Sequence, residues 1–331
     1  MSIFDTIRSR ARSNPKIIAL PEHDDERVLE AARIIRDNKI ARLLLVGKEH
    51  LKQEFTQKGD TGIEVVNPSE YPGIDQLADL YYQLRKHKGM TPQEASQAVR
   101  ENYLLFSFLL ARTGKIDGVV AGASHTTPDV LRMALQTLPR DESIGTISGS
   151  FIMELPGNPP LGEQGVFVFA DCGVNPDPSP RQLVGIARAS ALTFRQIVGT
   201  TPKVAFLSYS SKGSAEGPTV EKVREAAKKI KEVEPDLLAD GELQLDSAIV
   251  PEVAKKKCAG SPVAGYANVL IFPNLDAGNI TYKIVQRMAR ARAVGPILQG
   301  FTCACSDLSR GCDADDVVDA VAVTALRSYK A

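Results

Sequence analysis

The chain has 331 residues, 43% of them hydrophobic, and carries 40 Lys and Arg against 40 Asp and Glu. Its length suits two domains rather than one, and a formal charge of zero supplies no broad attraction for nucleic acid or an anionic membrane. No apolar run approaches the roughly 20 residues of a membrane-spanning helix, and the N-terminal residues lack the apolar stretch of a secretory signal, so a cytoplasmic location is expected.

Short β-branched runs alternate with longer helical patterns. Lys16–Leu20 reads as a strand ending at Pro21-Glu22, and Glu26–Arg36 places Val28, Leu29, Ala32 and Ile35 on one helical face. Arg42–Val46 and Asp117–Ala121 read as further strands, each ending at a glycine. These runs are continuous rather than alternating, the mark of strands buried on both faces of a parallel sheet. The middle differs. Ile144–Met153 and Val166–Ala170 are β-prone and flank a Pro/Gly-rich break, which predicts an antiparallel hairpin near the start of a second domain. Strands are then predicted at Val204–Leu207 and Val269–Phe272. Helices are predicted at Ser179–Val198, Pro218–Val233, Leu245–Lys256, Gly278–Arg292 and Asp313–Arg327. The pattern is α/β with two lobes, and ligands in such folds collect in loops beyond the carboxyl ends of strands.

Four such loops are polar. Gly122-Ala-Ser-His-Thr-Thr-Pro-Asp129 precedes a helix carrying Arg132; its hydroxyls and N–H groups suit a phosphate, and Ser, Thr and Asp equally suit a helix cap. Ser208-Tyr-Ser-Ser-Lys-Gly-Ser-Ala215 reads as an anion nest or a solvated loop and is no Walker motif. Pro273–Asn279 leads into Tyr282 and Lys283. The fourth, Ser306-Asp-Leu-Ser-Arg-Gly311, runs into Cys312-Asp-Ala-Asp-Asp316, where Asp313 suits an N-cap and Asp316 the capping-box position three residues on. From spacing alone, capping ranks above catalysis for Asp316. The five cysteines are odd in number and scattered, so no disulfide framework is expected. Cys303, Cys305 and Cys312 match no common zinc spacing, and no metal is expected. No Gly-x-Gly-x-x-Gly follows a strand, so no nicotinamide cofactor is expected either.

At these loops the chain resembles the phosphate acetyl/butyryltransferase family along nearly its whole length. The resemblance rests on Ile18-Ala-Leu-Pro-Glu22, Leu84-Arg-Lys-His-Lys-Gly89, Asp117-Gly-Val-Val-Ala-Gly-Ala123, Leu207–Ala215, Asp240-Gly-Glu-Leu-Gln244, Gly260-Ser-Pro-Val-Ala-Gly265, Gly278-Asn279 with Tyr282-Lys283, and Gly295–Gly300 followed by Asp307-Leu-Ser-Arg-Gly-Cys312. It implies two α/β/α lobes like those of isocitrate and isopropylmalate dehydrogenases, with 1–145 plus 298–331 in the first lobe and 146–297 in the second. It also implies a homodimer and an active site in the interlobe cleft.

Carried over by position, the resemblance makes Ser309, Arg310 and Asp316 catalytic and Arg85 and Arg132 substrate-binding. Asn279 and Tyr282 join them as substrate contacts, with Thr126, Thr127 and Lys212 as further phosphate contacts. The implied reaction moves an acetyl group reversibly between acetyl phosphate and coenzyme A. Coenzyme A is then a substrate, and no cofactor is needed. Asp316 would accept the thiol proton, Arg310 would hold phosphate, and Ser309 would donate a hydrogen bond to the thiol or the developing oxyanion. One stretch departs from the family: in Phe301-Thr-Cys-Ala-Cys-Ser306 the usual Lys-Pro pair and Asn are replaced, which bears on acyl-chain preference. The alternatives are a phosphate butyryltransferase and a non-catalytic, CoA-sensing module.

Overall fold

A computed structural model describes residues 2–48, 50–55 and 62–328. The chain divides into two compact units, Ile3–Pro139 with Phe301–Ala331, and Arg140–Gly300. Residues 140–145 and 298–300, which the sequence reading gives to the first lobe, fall in the second unit. The Asp141 N–H donates to the Gly300 carbonyl at 2.8 Å. A Cβ on Gly185 would stand 2.7 Å from the Ile144 carbonyl oxygen and 2.6 Å from Thr146 Oγ1, which shows how closely this segment packs.

The first unit opens with α1 (Ile3–Ser13), β1 (Ile17–Leu20), α2 (Glu26–Asp37), β2 (Arg42–Val46), α3 (His50–Phe55) and β3 (Ile63–Val66). It continues with α4 (Ile74–Arg85), α5 (Pro92–Glu101), α6 (Tyr103–Arg112), β4 (Gly118–Ala121) and α7 (Thr127–Thr137). The second unit holds β5 (Ser148–Glu154), β6 (Val166–Ala170), α8 (Pro180–Ile197), β7 (Lys203–Leu207), α9 (Pro218–Val233) and β8 (Leu238–Leu243). There follow α10 (Leu245–Ile249), α11 (Pro251–Lys257), β9 (Val269–Ile271), α12 (Leu275–Met288) and β10 (Arg292–Gln299). The chain then returns to the first unit with β11 (Ala304–Asp307) and α13 (Ala314–Arg327).

In the first unit the strand order is β3-β2-β1-β4-β11, parallel throughout. β4 is buried at every residue, as its apolar run predicts for a strand covered on both faces. Helices α1, α2 and α13 pack together on β1, β2, β4 and β11, while α6 reaches β4 from a second group made of α4 to α7. Arg8 in α1 pairs with the buried Asp319 of α13 at 2.7 Å, which supplies the partner a carboxylate at that depth requires. In the second unit the order is β10-β5-β6-β9-β7-β8. Pairs β10–β5 and β5–β6 are antiparallel, as the hairpin reading expects for the latter, and the rest are parallel.

The sequence reading names none of α1, α3, β3, α4, α5 and α6, and three further strands escape it for one reason. β8, β10 and β11 carry polar residues, Gly or Pro inside the strand, and their buried polar side chains, Asp307 Oδ1 apart, take partners far along the chain. Asp240 and Glu242 of β8 take Lys212 and Arg224, and Ser306 of β11 meets Thr324 at 2.8 Å. The predicted helix 245–256 is two helices, since Val250-Pro251 breaks it. The predicted helix 278–292 is shifted toward its N-terminus, starting at the Asn274 cap and giving way to β10 at Arg292.

α12 lies close on the loop after β6 because residue 278 is glycine. A Cβ there would stand 2.2 Å from the Asp171 carbonyl oxygen and 3.2 Å from Cys172 Sγ. Gly278→Ala is expected to cost about 2 kcal/mol or more despite the better helix propensity of alanine, read as a lower denaturant midpoint at unchanged slope.

Candidate active site

The strands β1, β4 and β11 are parallel neighbours, so the segments that follow them emerge on one edge of the first unit's sheet. Glu22 follows β1 and is 2% exposed. Its carboxylate accepts from the backbone N–H groups of Gly122, Ala123, Ser124 and His125 at 2.8 to 3.0 Å, and His125 Nδ1 lies 2.8 Å from it. Burial works to raise the Glu22 carboxyl, but the bonds from His125 and the backbone N–H groups hold it below its ordinary range. His125 is raised above its ordinary value by the bond to Glu22, against its own partial burial. The N–H groups that sequence reading offers to a phosphate are thus filled by an internal carboxylate.

Arg27, one residue into α2, joins this loop to the segment after β11. Its guanidinium forks onto Asp25, the N-cap of α2, at 2.9 and 2.7 Å. The same group donates to the Arg310 carbonyl at 2.7 Å, the Cys312 carbonyl at 2.9 Å and the Ala123 carbonyl at 2.8 Å. The Leu308 N–H donates to the Ala121 carbonyl at 2.7 Å, and the Cys312 N–H closes a turn on the Ser309 carbonyl at 2.8 Å. The backbone of 308–312 is therefore held from several directions while the side chains of Ser309 and Arg310 stay exposed. Ser309 Oγ accepts from the Gly311 N–H at 3.3 Å. No described residue pairs with the Arg310 guanidinium.

Asp316 occupies the place its spacing predicts. It is the third residue of α13, its N–H donates to Asp313 Oδ1 at 2.9 Å, and its Oδ2 accepts from the Asp313 N–H at 3.2 Å. Thr126 is the N-cap of α7, and its hydroxyl is engaged with Asp129 at 2.6 Å. Thr127 donates its hydroxyl to Asp307, the last residue of β11. Arg132 pairs with Asp129 at 3.1 Å on an exposed helix face. Arg85 ends α4, and its Nε is buried without a hydrogen-bond partner among the described residues. Tyr81, one turn earlier, donates to Gln136 at 2.9 Å, so the helices bearing Arg85 and Arg132 are tied together.

Lys212, Asn279 and Tyr282 belong to the second unit. The Lys212 ammonium sits 2.6 Å from Asp240, itself 2% exposed. The rest of the 208–215 loop is held by Glu242, which accepts from Ser210 Oγ at 2.9 Å, the Gly213 N–H at 2.9 Å and Arg224 at 3.0 Å. Burial works to raise Glu242, yet these bonds bring it down to about 2. The hydroxyl-rich loop is accordingly an ordered one. Asn279 donates to the Cys172 carbonyl at 3.1 Å, and Tyr282 stacks on Phe151 with ring centroids 3.9 Å apart.

Of the residues in the departing stretch, Cys305 and Ser306 lie inside β11 at 0% and 1% exposure. Burial pushes the Cys305 thiol up to about 12 and the Cys312 thiol up to about 11, which keeps both protonated near neutral pH. Glu22, Arg27, His125 and Asp307 are the participants that sequence reading passes over. Glu22 and Asp307 stand inside the stretches that carry the family resemblance and His125 inside the polar loop after β4, but only the folded chain shows what each of them bonds to.

Parallel strands with loops locked at their carboxyl ends, presenting an exposed serine and an arginine unpaired among the described residues, define an α/β protein whose candidate site lies at that sheet edge. A family model described as Phosphate acetyl/butaryl transferase matches residues 2–325, and the chain belongs to that family. The phosphate acetyltransferase of Thermoanaerobacterium thermosaccharolyticum is 46% identical over 329 residues, covering 99% of this chain and 100% of that one. The crystal structure of a phosphotransacetylase from Streptococcus pyogenes has a TM-score of 0.89 at 37% identity, covering 99% of both chains. A 4-hydroxythreonine-4-phosphate dehydrogenase from Burkholderia phymatum, at 14% identity and a TM-score of 0.53 over 94% of this chain and 98% of that one, shows the shared dehydrogenase-like fold alone.

Glu22→Gln is expected to cost about 3 kcal/mol, because a buried amide cannot accept from four N–H groups and places its own donor among them. The depressed Glu22 contributes stability above its unfolded value near ~4.3, lost as pH falls. The raised His125 contributes stability below its unfolded value near ~6.5, lost as pH rises through its folded value. Urea titrations should therefore find the gap between wild type and variant widest between about pH 5 and 6.5 and narrower on both sides.

Proposed function

We propose that this chain is a phosphate acetyltransferase, catalysing acetyl phosphate + CoA = acetyl-CoA + phosphate. The observation that carries the reading is the turn at 309–311, whose backbone is clamped by Arg27 while the Ser309 hydroxyl and the Arg310 guanidinium face outward, in a chain of this family. Asp316 accepts the CoA thiol proton, and the thiolate attacks the acetyl carbonyl. Ser309 donates to the oxyanion. The carbon–oxygen bond to phosphate then breaks, and phosphate leaves on Arg310, whose planar fork matches the phosphate oxygens. The transfer is direct, in a ternary complex, and uses no metal or bound cofactor.

Arg85 and Arg132 bind substrate phosphates, with Arg85 favoured by its unpartnered Nε. With the 122–125 amides taken by Glu22 and the hydroxyls of Thr126 and Thr127 engaged, phosphate recognition falls mainly on Arg310. Thr126, Thr127 and Lys212 serve substrate binding by shaping the loops that carry them. Asn279 and Tyr282 are the contacts of the second unit that the family resemblance implies. Acetyl is favoured over butyryl as the acyl group, because relatives of this chain at 45–46% identity are phosphate acetyltransferases.

We also infer a homodimer. α12 exposes Ile280, Ile284 and Met288 at successive helical turns, Met288 at 81%, and a second copy would cover this stripe. No described helix is long and apolar enough to cross a membrane, in keeping with a cytoplasmic enzyme.

The purified protein should form acetyl-CoA from acetyl phosphate and CoA without ATP, and faster than it acylates CoA from butyryl phosphate. Absence of turnover in a folded preparation would favour a CoA-sensing module instead. Arg310→Gln should lose roughly 30- to 1000-fold in kcat, the equivalent of about 2–4 kcal/mol of transition-state stabilisation.

Asp316 separates capping from catalysis. If it only caps α13, Asp316→Asn costs about 1 kcal/mol or less and leaves turnover near wild type. As the base, the variant stays folded and loses kcat sharply. Its residual rate should rise with pH as solution supplies more thiolate, and a pH–rate series beside a melting curve distinguishes the two.

A further inference from the structure

Asp307 is a carboxyl group in a place that folding alone disfavours. It ends β11 in register with Ala121, two residues before Ser309, and is 0% exposed. One oxygen accepts the Thr127 hydroxyl at the start of α7. The other, Oδ1, is buried with no hydrogen-bond partner among the described residues. It lies against Gly122, where a Cβ would come within 2.2 Å of it, while the Leu308 N–H bonds back to the Ala121 carbonyl at 2.7 Å. Gly122 has φ +114°, a conformation other residues rarely adopt, so the approach is built into the backbone.

A buried carboxylate with one unsatisfied oxygen is costly, and an apolar side chain of like volume would fold more cheaply. The charged groups facing it do not offset this. Burial raises its carboxyl first, and the Glu22 carboxylate from the end of β1 raises it further. The Thr127 hydroxyl, the Leu308 N–H and His125 from the 122–127 loop oppose them, leaving it at about 7. Cys305, earlier on β11, stays a neutral thiol at this pH and adds no charge. Groups held at such cost beside a reacting centre commonly serve the reaction.

We propose that Asp307 is a positioning residue for acyl transfer: its carboxylate, gripping Thr127, holds the Ser309–Arg310 turn in register with the loop after β4. The inference rests on the reading that this turn is catalytic. In the ionised state the Thr127 hydroxyl has a fixed direction as donor. When the carboxyl is neutral, the proton and the hydroxyl compete for that bond, and the strand end that carries Ser309 loses its restraint. Asp307→Asn keeps the shape and imitates the neutral form at every pH.

The test compares kcat of wild type, Asp307→Asn and Thr127→Val between pH 6 and 8, with circular dichroism and melting curves alongside. The ratio of wild-type to variant rate cancels the titration of the CoA thiol and of every group the two proteins share. For Asp307→Asn the ratio is expected to be at least about tenfold at pH 8 and to shrink several-fold toward pH 6, with both KM values within about threefold of wild type. Thr127→Val should lose about fivefold in kcat at pH 8. Both variants within about twofold of wild type at pH 8, or an Asp307→Asn ratio that does not vary with pH, would overturn the proposal. Should Asp307→Asn fail to fold, Thr127→Val decides alone: a fivefold loss supports the clip and an unchanged kcat refutes it. Ser309→Ala and Arg310→Gln run in the same assay. If those two keep full rate, the catalytic reading of the turn is what fails. If they lose rate while Asp307→Asn and Thr127→Val do not, only the role of Asp307 is lost.

Discussion

The Glu22 carboxylate holds four backbone N–H groups of residues 122–125, and the geometry of the first unit's sheet edge follows from that contact. A run of N–H groups pointing one way is an anion site, and left empty at this depth it would carry several unsatisfied donors. Filling it from within turns a flexible glycine-containing loop into a fixed surface. Arg27 can then reach the Ala123 carbonyl on one side and the carbonyls of Arg310 and Cys312 on the other. The turn that offers Ser309 and Arg310 is therefore positioned by its backbone, which leaves its side chains free for chemistry. A site built in this way has little reorganisation left to do when charge develops.

The same economy of charge recurs in the second unit. Glu242 and Asp240 lie in β8, where an apolar strand would pack more cheaply, and they organise the 208–215 loop through Ser210, Gly213, Arg224 and Lys212. In both units a buried carboxylate at or near a strand end takes its partners from a neighbouring loop. That arrangement costs desolvation, and in return it specifies one loop conformation out of many.

Asp316 shows how one side chain supports two readings at once. The capping box is present with both reciprocal bonds, so its spacing is fully explained by helix initiation. A base drawn from a capping residue has its carboxylate already oriented by the Asp313 N–H. Capping and proton acceptance are compatible in geometry, and kinetics separate them where geometry does not.

Much of this fold was legible in the residue order. Apolar runs such as Arg42–Val46 and Gly118–Ala121 are strands because they are buried on both faces, and amphipathic stretches such as Pro218–Val233 are helices for the equivalent reason. The Asp313–Asp316 box and the Ser309–Arg310 pair could likewise be picked out, since caps and short motifs are local. What the order of residues did not disclose is every feature whose partner lies far along the chain. β8 and β11 hide because their buried Asp, Glu and Ser are acceptable only beside Lys212, Arg224, Thr127 and Thr324. The phosphate-like reading of the 122–127 loop gave way because Glu22, a hundred residues earlier, already occupies its amides. Local periodicity and capping are set by neighbours within a few residues, whereas the satisfaction of a buried charge is decided only when the chain has folded and brought its counterpart within reach.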